Sequence, residues 1–375
     1  RIEPSKPEDA AAVVSAFNDE YVKYYGKYVD EEVLQGFLKT MRKDMESGSR
    51  PEEVVRTVRS SGNDFVGVGA LKFKDNLVEL GSTIIDKDFR QRDNQDGQGI
   101  YDELFVDRHE DAAEMVRDED DPINLAYTQL LADRSAATQY TAHKHDYAVT
   151  GVYDKKFPVA YEEKGRVTVV DMLWADSNIE NSQEEVYVPE DAKKLVDAAL
   201  ENIDDKRSEE LPEITRKLEE GDESRKEQSY RVESKAVDKP EEDPMNFAEV
   251  EVVVDEAGEY TWSDVLDEID SVQQQIENPD DDYWVGVSMD VNNSIGSDAA
   301  EALEELGFEY AGFNPGKLET GDENRDSLEL QYRPSQETYV KEFVEEAVEF
   351  MKKSGMNFEK AEKQTGYESS KALRV

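Results

Sequence analysis

The amino-acid sequence predicts an α+β fold, a mixed sheet flanked by helices, present as two tandem copies along 375 residues. Two observations support this prediction. Segments with apolar residues at helical spacing alternate with short, β-branched runs at strand spacing. The order helix, helix, strand, strand, helix, strand, helix, strand, strand occurs twice, on either side of a polar stretch at 176–185. Two copies of one fold are the simplest explanation of a repeated order of elements.

In the first half, helices are predicted at 7–25, 31–45, 51–60, 99–116 and 135–145, the second of them capped by Asp30. Strands are predicted at 1–3, 64–73, 76–86, 124–132, 148–154 and 166–175. The strands at 64–73 and 76–86 are expected to form an antiparallel hairpin. Together these elements define a first domain, 1–175.

In the second half, helices are predicted at 190–203, 211–218, 262–276, 297–306 and 337–353. Strands are predicted at 229–237, 247–254, 284–291, 308–313 and 327–332. These elements define a second domain, 186–333, followed at 334–375 by a C-terminal helix and a frayed tail.

Charge is the most unusual property of the composition, with 90 acidic against 44 basic residues and a formal net charge of −46. One interpretation is an acidic surface that binds a partner or imitates a nucleic acid. The other is adaptation to a cytoplasm of high salt, where a short Debye length screens the self-repulsion. The acids are spread along the chain and alternate with apolar positions, which favours a salt-adapted, cytoplasmic protein. The sequence has no basic stripe, so we expect no nucleic-acid partner.

Residue types that the sequence lacks exclude several kinds of site. With no cysteine, it can form no disulfide, thiolate nucleophile or zinc–cysteine site. Its histidines, His109, His143 and His145, do not have the spacing of three or four that a metal pair on a helix needs, so we expect no metal. No segment has the roughly 20 apolar residues of a membrane span, and no signal peptide is recognised, so we expect no membrane partner.

The segment 79–105, ELGSTIIDKDFRQRDNQDGQGIYDELF, combines a strand, a polar loop with Arg and Gly, and a helix. Two glycines in the loop would let the backbone take positive φ and approach a phosphate closely. The amides that follow lie at a helix N-terminus, where the helix dipole favours an anion. We therefore expect a phosphate group at Gly97, Gln98, Gly99, Ile100 and Tyr101.

In this segment and in its order of elements, the first half resembles the GNAT superfamily of N-acetyltransferases, in a haloarchaeal type. The resemblance implies acetyl-CoA as co-substrate, its pyrophosphate at the glycine loop and its pantetheine arm along the strand. The resemblance assigns four residues of this strand to acetyl-CoA: Ser82, Thr83, Ile84 and Ile85. It also assigns Ser135, the first residue of the helix predicted at 135–145. Two departures weaken the match: Asp96 stands where the family commonly has a cation, and 91–95 looks like an insertion. Arg90 and Arg92 could return to the pyrophosphate or merely solubilise the loop.

The resemblance also implies two catalytic residues. The family often places a carboxylate on the fourth strand as general base, and Glu79 has that position in LVELGST; a half-buried glutamate there suits base work near neutrality. The other interpretation is a solvent-facing strand residue. The acid that protonates the departing thiolate is a tyrosine on the helix after the fifth strand. The family's position falls near Ala142, so Tyr140 is the candidate, with Tyr147 nearby; either could instead be a core aromatic residue.

The second half resembles the same family more faintly. The segment SDAAEALEELGFEY at 297–310 has the Leu-Gly-Phe ending of the family's fourth helix. Only DEAGEYT lies between Val254 and Trp262, and it contains no phosphate loop. We therefore expect a degenerate copy that packs against the first half or forms a wall of the substrate site.

These patterns predict an acyltransferase that moves an acetyl group from acetyl-CoA to a primary amine. The alternative is a non-catalytic acyl-CoA-binding or regulatory module, which Asp96, the inserted loop and the tyrosine out of register favour. A scaffold without a ligand leaves the strand, loop and helix unexplained. The geometric expectation is that the strands at 78–86 and 124–131 are parallel neighbours that diverge over the glycine loop.

Overall fold

The computed structural model describes residues 1–20, 26–28, 30–74, 76–86, 88–89, 99–118, 122–131, 137–158, 166–179, 185–219, 229–236, 247–254, 258–276, 284–320, 323–332 and 345–356. The α-helices are α1 (Ala10–Glu20), α2 (Glu31–Ser47), α3 (Ile100–Arg117), α4 (Ala137–Lys144), α5 (Lys193–Asp204), α6 (Trp262–Ile276), α7 (Ile295–Glu305) and α8 (Glu345–Lys353). The strands are β1 (Ile2–Pro4), β2 (Glu53–Arg59), β3 (Phe65–Lys74), β4 (Leu77–Ile85), β5 (Leu125–Leu131), β6 (Tyr147–Pro158), β7 (Arg166–Trp174), β8 (Glu185–Tyr187), β9 (Lys217–Glu219), β10 (Tyr230–Ala236), β11 (Phe247–Val254), β12 (Trp284–Asp290), β13 (Glu309–Thr320) and β14 (Glu323–Tyr332).

Both halves contribute to one 12-stranded mixed sheet, in the order β1-β2-β3-β4-β5-β7-β6-β13-β14-β12-β11-β10. The predicted α+β class, with a mixed sheet flanked by helices, is confirmed. The connectivity of β3 to β7 recurs in β10 to β14: an antiparallel hairpin, a parallel pair, and two antiparallel pairs. In the described part of the chain, no helix is both long and apolar enough to cross a membrane.

The two halves of the sheet meet at β6 and β13, where Gly151 lies opposite Gly312. A Cβ added to Gly312 would lie 2.7 Å from the Gly151 Cα, so the two backbones are too close for a side chain. Beside this contact, the buried Thr150 hydroxyl donates to the Asn314 side-chain oxygen at 2.6 Å. The close backbone contact explains why both strands have glycine at this point.

Two predicted helices are wrong. Within the first, 51–60, residues Glu53–Arg59 form β2, whose valines are buried on both faces: Val54 belongs to the main core, and Val55 packs with α1 and α2. Residues 211–216 have no regular structure and lead into β9, which pairs in parallel with β8. Here Ile214 is buried, and its amide donates to the Asp204 carboxylate at 3.0 Å.

The helices lie on opposite faces of the sheet. On one face, α1 and α2 cover β2, β3 and β4 with a cluster that includes Phe17, Leu38 and Ile84. On the other face, α3 to α8 pack in the larger core. The face of the sheet that α1 and α2 cover in part also carries charged and polar side chains, on strands between β2 and β11. The strand register places several of them opposite one another, such as Lys72 and Glu79.

We call this surface the polar face. It consists of Glu53, Lys72, Lys74, Glu79, Tyr127, Tyr153, Asp171, Glu249, Glu251, Ser288 and Glu329, joined by Lys27 from the segment before α2 and by Lys317 from β13. Seven strands separate β3 from β11 in the sheet order, yet Lys74 of β3 forms an ion pair with Glu251 of β11. The Asn76 amide likewise donates to the Gly316 carbonyl at 3.0 Å. The sheet therefore curls around its polar face and brings residues of both halves together.

The N-terminus of α2 is capped as the sequence predicts. The Asp30 carboxylate accepts from the amides of Glu32 and Val33 at 2.9 and 3.0 Å. We expect Asp30→Ala to lower the free energy of unfolding by about 1 kcal/mol, since two N-terminal amides lose their acceptor. Urea unfolding in concentrated KCl measures this. Lys39→Ala, an exposed change in the middle of the same helix, is the control; equal losses in both variants would contradict the assignment.

Candidate active site

β4 and β5 are paired over only part of their lengths. Their parallel ladder has three pairs and ends at Glu79 and Tyr127, although both strands continue and are described throughout. Just beyond the last pair, the Thr128 hydroxyl donates to the Leu80 carbonyl at 2.7 Å. The glycine loop lies outside the described residues, but the two strands are parallel neighbours, as predicted, with an early end to their ladder. This early end leaves backbone groups of β4 available to an extended ligand between the two strands.

The equivalent strands of the second half do not diverge in this way. The parallel ladder between β11 and β12 has six pairs, from Phe247 with Trp284 to Val252 with Met289. These strands are eight and seven residues long, so pairing extends over most of both. An extended ligand has no comparable place there.

A β-bulge interrupts β4 next to the gap. Val68 pairs with Ile84 and Ala70 with Gly81, so the single residue Gly69 of β3 lies opposite both Ser82 and Thr83. Ser82 has φ of 49°, a left-handed conformation that is uncommon outside glycine. Bulges and such conformations concentrate near functional sites, where they redirect backbone groups.

Arg108 of α3 is fully buried beneath this bulge. Its guanidinium donates to the carbonyls of Ala70 (3.1 Å), Gly81 (3.0 Å) and Leu104 (3.1 Å). Among the described residues, its Nη2 atom has no hydrogen-bond partner. Burial lowers the pKa of the guanidinium, although an arginine stays charged in a protein. Its position had no signal in the sequence, where it is one basic residue on a charged helix.

The N-terminus of α3 lies beside the end of β4, since Ile100 packs in one apolar cluster with Ile85 and Phe89. Gly99 precedes the helix with φ of −65° and ψ of 145°. The predicted positive φ is therefore wrong for Gly99, because the residue has the extended conformation of a normal helix cap. A Cβ added to Gly99 would have no described atom within 4 Å. Among the described atoms, none therefore fills the space next to the first amides of α3.

Four other residues predicted to bind the cofactor lie near this end of the gap: Tyr101 on α3, and Thr83, Ile84 and Ile85 on β4. Tyr101 is half-buried, stacks on Phe105 with ring centroids 6.3 Å apart, and has its pKa raised by burial to about 12. Thr83, Ile84 and Ile85 lie on β4 beyond the last pair with β5. A final group lies outside the described residues: Arg90, Arg92, Asp96, Gly97, Gln98 and Ser135.

Glu79 is the last residue of β4 that pairs with β5, and its side chain is 20% exposed. Its carboxylate accepts from the Lys72 ammonium at 3.2 Å and from the Tyr127 hydroxyl at 3.4 Å. Burial and then Glu79 raise the pKa of Tyr127 well above its usual value. Burial alone would lower the pKa of Lys72, but Glu79 and Glu53 raise it. The residue is therefore half-buried beside the gap, not a solvent-facing strand residue.

Tyr127 was not singled out in the sequence. The sequence predicts the two parallel strands but not their register, and the register is what places Tyr127 opposite Glu79. Tyr140, the predicted acid, is half-buried on α4, where the Lys144 ammonium lies 5.4 Å from its ring centroid. The alternative, Tyr147, is fully buried, and its hydroxyl lies 3.4 Å from His109 Nδ1. Tyr147 is thus a core residue, as one interpretation of the sequence held.

The polar face continues from Glu79 into the second half through one buried network. The Lys317 ammonium lies 2.9 Å from Glu329 and 3.9 Å from Asp171, and 5.8 Å from the centroid of the Tyr127 ring. Ser288 donates to Glu329 at 2.6 Å. Burial would raise the pKa of Glu329, but Lys317 and the neighbouring hydroxyls lower it.

The three histidines lie away from the polar face. His143 contacts the Glu346 carboxylate of α8. His109 and His145 have ring centroids 5.5 Å apart, and burial, followed by the charge of His145, lowers the pKa of His109 to about 4. No group of three metal-ligating side chains is present among the residues that the structure describes.

Comparisons with known proteins gave matches only among solved structures. No family model matches the chain, and no curated protein does. Mutant forms of the spermidine/spermine N-acetyltransferase of Vibrio cholerae are 12% identical, with a TM-score of 0.35, over 46% of this chain and 91% of theirs. The ribosomal-protein-alanine N-acetyltransferase of Brucella melitensis is 17% identical, with a TM-score of 0.34, over 46% of this chain and 98% of its own.

Proposed function

We propose that the protein transfers an acetyl group from acetyl-CoA to a primary amine. The observation on which this depends is the gap between β4 and β5, which opens directly after Glu79 and beside the bulge at Ser82. A carboxylate that can accept a proton, a redirected backbone amide and an open strand edge thus lie within a few residues of one another. Acyl transfer from a thioester to an amine needs these three elements.

The described residues fit an acyl-CoA. The edge of β4 beyond Glu79 offers backbone groups to the amide-containing pantetheine arm, as an added strand would use them. At the end of β4, the first amides of α3 and the open space at Gly99 suit the pyrophosphate. Arg90 and Arg92 would add positive charge, whereas Asp96 and the acidic first turn of α3, Asp102 and Glu103, oppose an anion. High salt would reduce that repulsion.

The chemistry assigns one role to each residue. Acetyl-CoA supplies the activated acetyl group. The carboxylate of Glu79 accepts the proton that the amine loses as its nitrogen bonds to the carbonyl carbon and the carbon–sulfur bond breaks. Backbone amides at the bulge, Ser82 and Thr83, donate to the carbonyl oxygen. Tyr140 gives a proton to the departing thiolate. Lys72 and Tyr127 hold the Glu79 carboxylate in place.

The polar face favours a cationic acceptor. Its described charged residues are six carboxylates, Glu53, Glu79, Asp171, Glu249, Glu251 and Glu329, against four ammonium groups, Lys27, Lys72, Lys74 and Lys317. The rings of Tyr127 and Tyr153 lie among them, and an ammonium group is attracted to such faces. An amine with a second positive charge would therefore bind there better than an amine with no other charged group.

We propose that the second half is a degenerate copy of the same fold that forms one wall of the acceptor site. The longer ladder of β11 and β12, with six pairs, supports the proposed loss of a cofactor site. The position of Lys317 and Glu329 on the polar face supports the wall. The boundaries proposed for the two copies are 1–175 and 186–333, with a C-terminal helix and tail at 334–375. We further propose that the protein works in a cytoplasm of high salt.

One observation favours a second function, a non-catalytic acyl-CoA-binding or regulatory module. The Lys72 ammonium lies 3.2 Å from Glu79 and holds the carboxylate of the proposed base in an ion pair. In such a module, acetyl-CoA would bind without turnover. The two functions differ in whether thiol is released, not in whether the gap is occupied.

The binding of acetyl-CoA is tested by thermal unfolding in about 2 M KCl, where the Debye length is below about 3 Å. Ligand at a hundred times its dissociation constant should stabilise the wild type by about 2.7 kcal/mol. We expect Gly99→Trp to fold normally, because its side chain meets open space, and to lose this stabilisation. Gly36→Trp is the control, since Gly36 of α2 is also exposed with no described atom near its Cβ position. Equal stabilisation in all three proteins would place the ligand elsewhere.

A further inference from the structure

Arg108 is a fully buried cation, and its described hydrogen bonds go to backbone carbonyls rather than to a carboxylate. The described residues offer its guanidinium three backbone carbonyls and no carboxylate contact. The nearest acid on the same helix, Asp107, forms an ion pair with Arg56 at 2.6 Å. A buried charge without an ionic partner is costly, and a well-packed apolar side chain is often as stable in its place. The position of this charge therefore suggests a role in the site.

The guanidinium acts on the peptide unit between Gly81 and Ser82. Arg108 Nη1 donates to the Gly81 carbonyl at 3.0 Å. In a trans peptide, the C=O and the N–H of one unit point in opposite directions. The Ser82 N–H therefore points away from Arg108. The Leu80 carbonyl faces β5, because the Thr128 hydroxyl donates to it. Backbone polar groups of successive residues in a strand point to alternate sides, so the N–H of Ser82, two residues later, points to the same side as the Leu80 carbonyl. That side is the β4–β5 gap.

The same peptide lies next to the proposed base. A Cβ added to Gly81 would lie 2.5 Å from Glu79 Oε1, so the carboxylate covers one side of Gly81 while Arg108 lies on the other. Gly69 of β3 provides the room for the guanidinium, because a Cβ there would lie 2.9 Å from Arg108 Cζ. Two glycines thus let a carboxylate and a guanidinium approach the backbone at the bulge from opposite faces of the sheet.

We propose that Arg108 is a positioning residue for the acyl group, which fixes and polarises the Gly81–Ser82 peptide so that the Ser82 N–H is a stronger donor to the acyl carbonyl oxygen. This inference rests on the proposed function. A hydrogen bond to a peptide oxygen strengthens the donor at its nitrogen, because bonds in a chain polarise one another. The negative charge that develops on the carbonyl oxygen during attack is stabilised by such a donor and by the cation behind it.

The test measures the carbonyl stretch of bound acetyl-CoA by isotope-edited infrared spectroscopy, together with the dissociation constant and kcat. In the wild type, binding should lower the frequency of the thioester carbonyl. Arg108→Met should lose most of this lowering and about tenfold in kcat, with acetyl-CoA affinity kept; loss of a complete oxyanion donor costs more, about a hundredfold or above. Arg108→Lys should recover part of both quantities. Arg56→Met, which removes another cation next to α3, should change neither.

The outcomes separate the inference from the proposed function. If the wild type does not bind acetyl-CoA, both fail. If it binds and transfers the acetyl group but Arg108→Met keeps the wild-type carbonyl frequency, the inference alone is overturned. Should Arg108→Met not fold, Gly69→Ala replaces it, because its methyl group displaces the guanidinium from the Gly81 carbonyl while keeping the charge. Gly69→Ala with an unchanged carbonyl frequency would also overturn the inference.

Discussion

Glu79→Gln should reduce kcat for acetyl transfer by about a hundredfold or more, the range in which positioned general bases contribute. The amide has the size of the carboxylate but cannot take up the proton that the amine loses. Acetyl-CoA binding should stay near the wild-type value, because the proposed cofactor contacts lie on β4 beyond Glu79 and at Gly99. Initial rates at saturating acetyl-CoA and a titration of acetyl-CoA measure the two quantities.

Glu251→Gln is the matched control for this change. Glu251 lies on the same polar face and, like Glu79, forms an ion pair with a lysine of β3, but it belongs to β11. The control removes an equivalent ion pair without touching the gap, so kcat at saturating amine should stay close to that of the wild type, and only the KM for a cationic amine should rise. A similar fall in both variants would mean that the charge of the polar face, rather than a base at Glu79, determines the rate.

Arg216→Met should lower the free energy of unfolding by about 3–5 kcal/mol, the cost of leaving one partner of a buried ion pair alone. Arg216 and Asp326 have side chains 1% and 2% exposed, and Arg216 Nε lies 2.5 Å from the carboxylate. Asp326 also accepts from the Gly316 amide at 2.9 Å in the β13–β14 hairpin. The ion pair thus attaches the segment before β9 to the centre of the second half.

Lys217→Met provides the comparison at the next residue. Lys217 is 63% exposed and forms its ion pairs with Glu185 and Glu219 at the surface, where solvent and salt screen them. Its loss should leave the unfolding midpoint unchanged in concentrated KCl. Thermal unfolding of both variants measures the difference, and a fall for Lys217→Met as large as that for Arg216→Met would contradict the burial argument.

The sequence was sufficient for elements whose signal is local. The hairpin of β3 and β4 has β-branched runs around a short turn, and α2 has a capping aspartate and apolar residues at helical spacing. β2 was misread because it is covered on both sides, which removes the alternation that marks a half-buried strand. The segment 211–216 was misread because contacts distant in sequence, such as Arg216 with Asp326, determine its path.

The same distinction applies to the candidate site. Glu79 and the divergence of β4 and β5 could be predicted, because the segment that contains them has a recognisable order of strand, loop and helix. Tyr127 and the bulge at Ser82 depend on register, which the sequence did not define. Lys317 and Glu329 come from the second half and reach the site only because the sheet curls. The proposed role of Arg108 could not be predicted, since it depends on the Ala70 and Gly81 carbonyls that β3 and β4 present to the guanidinium next to the bulge.

The release of CoA thiol in the presence of primary amines tests the central claim most directly. The chain contains no cysteine, so a thiol reagent detects only the CoA that is set free. With acetyl-CoA in about 2 M KCl, we expect diaminobutane and related diamines to release thiol faster than neutral amines, with acetylated amine as the second product by mass spectrometry. Protein that is folded and stabilised by acetyl-CoA, but releases no thiol above the rate of hydrolysis with any primary amine, would contradict the proposed transferase activity and leave a binding module in its place.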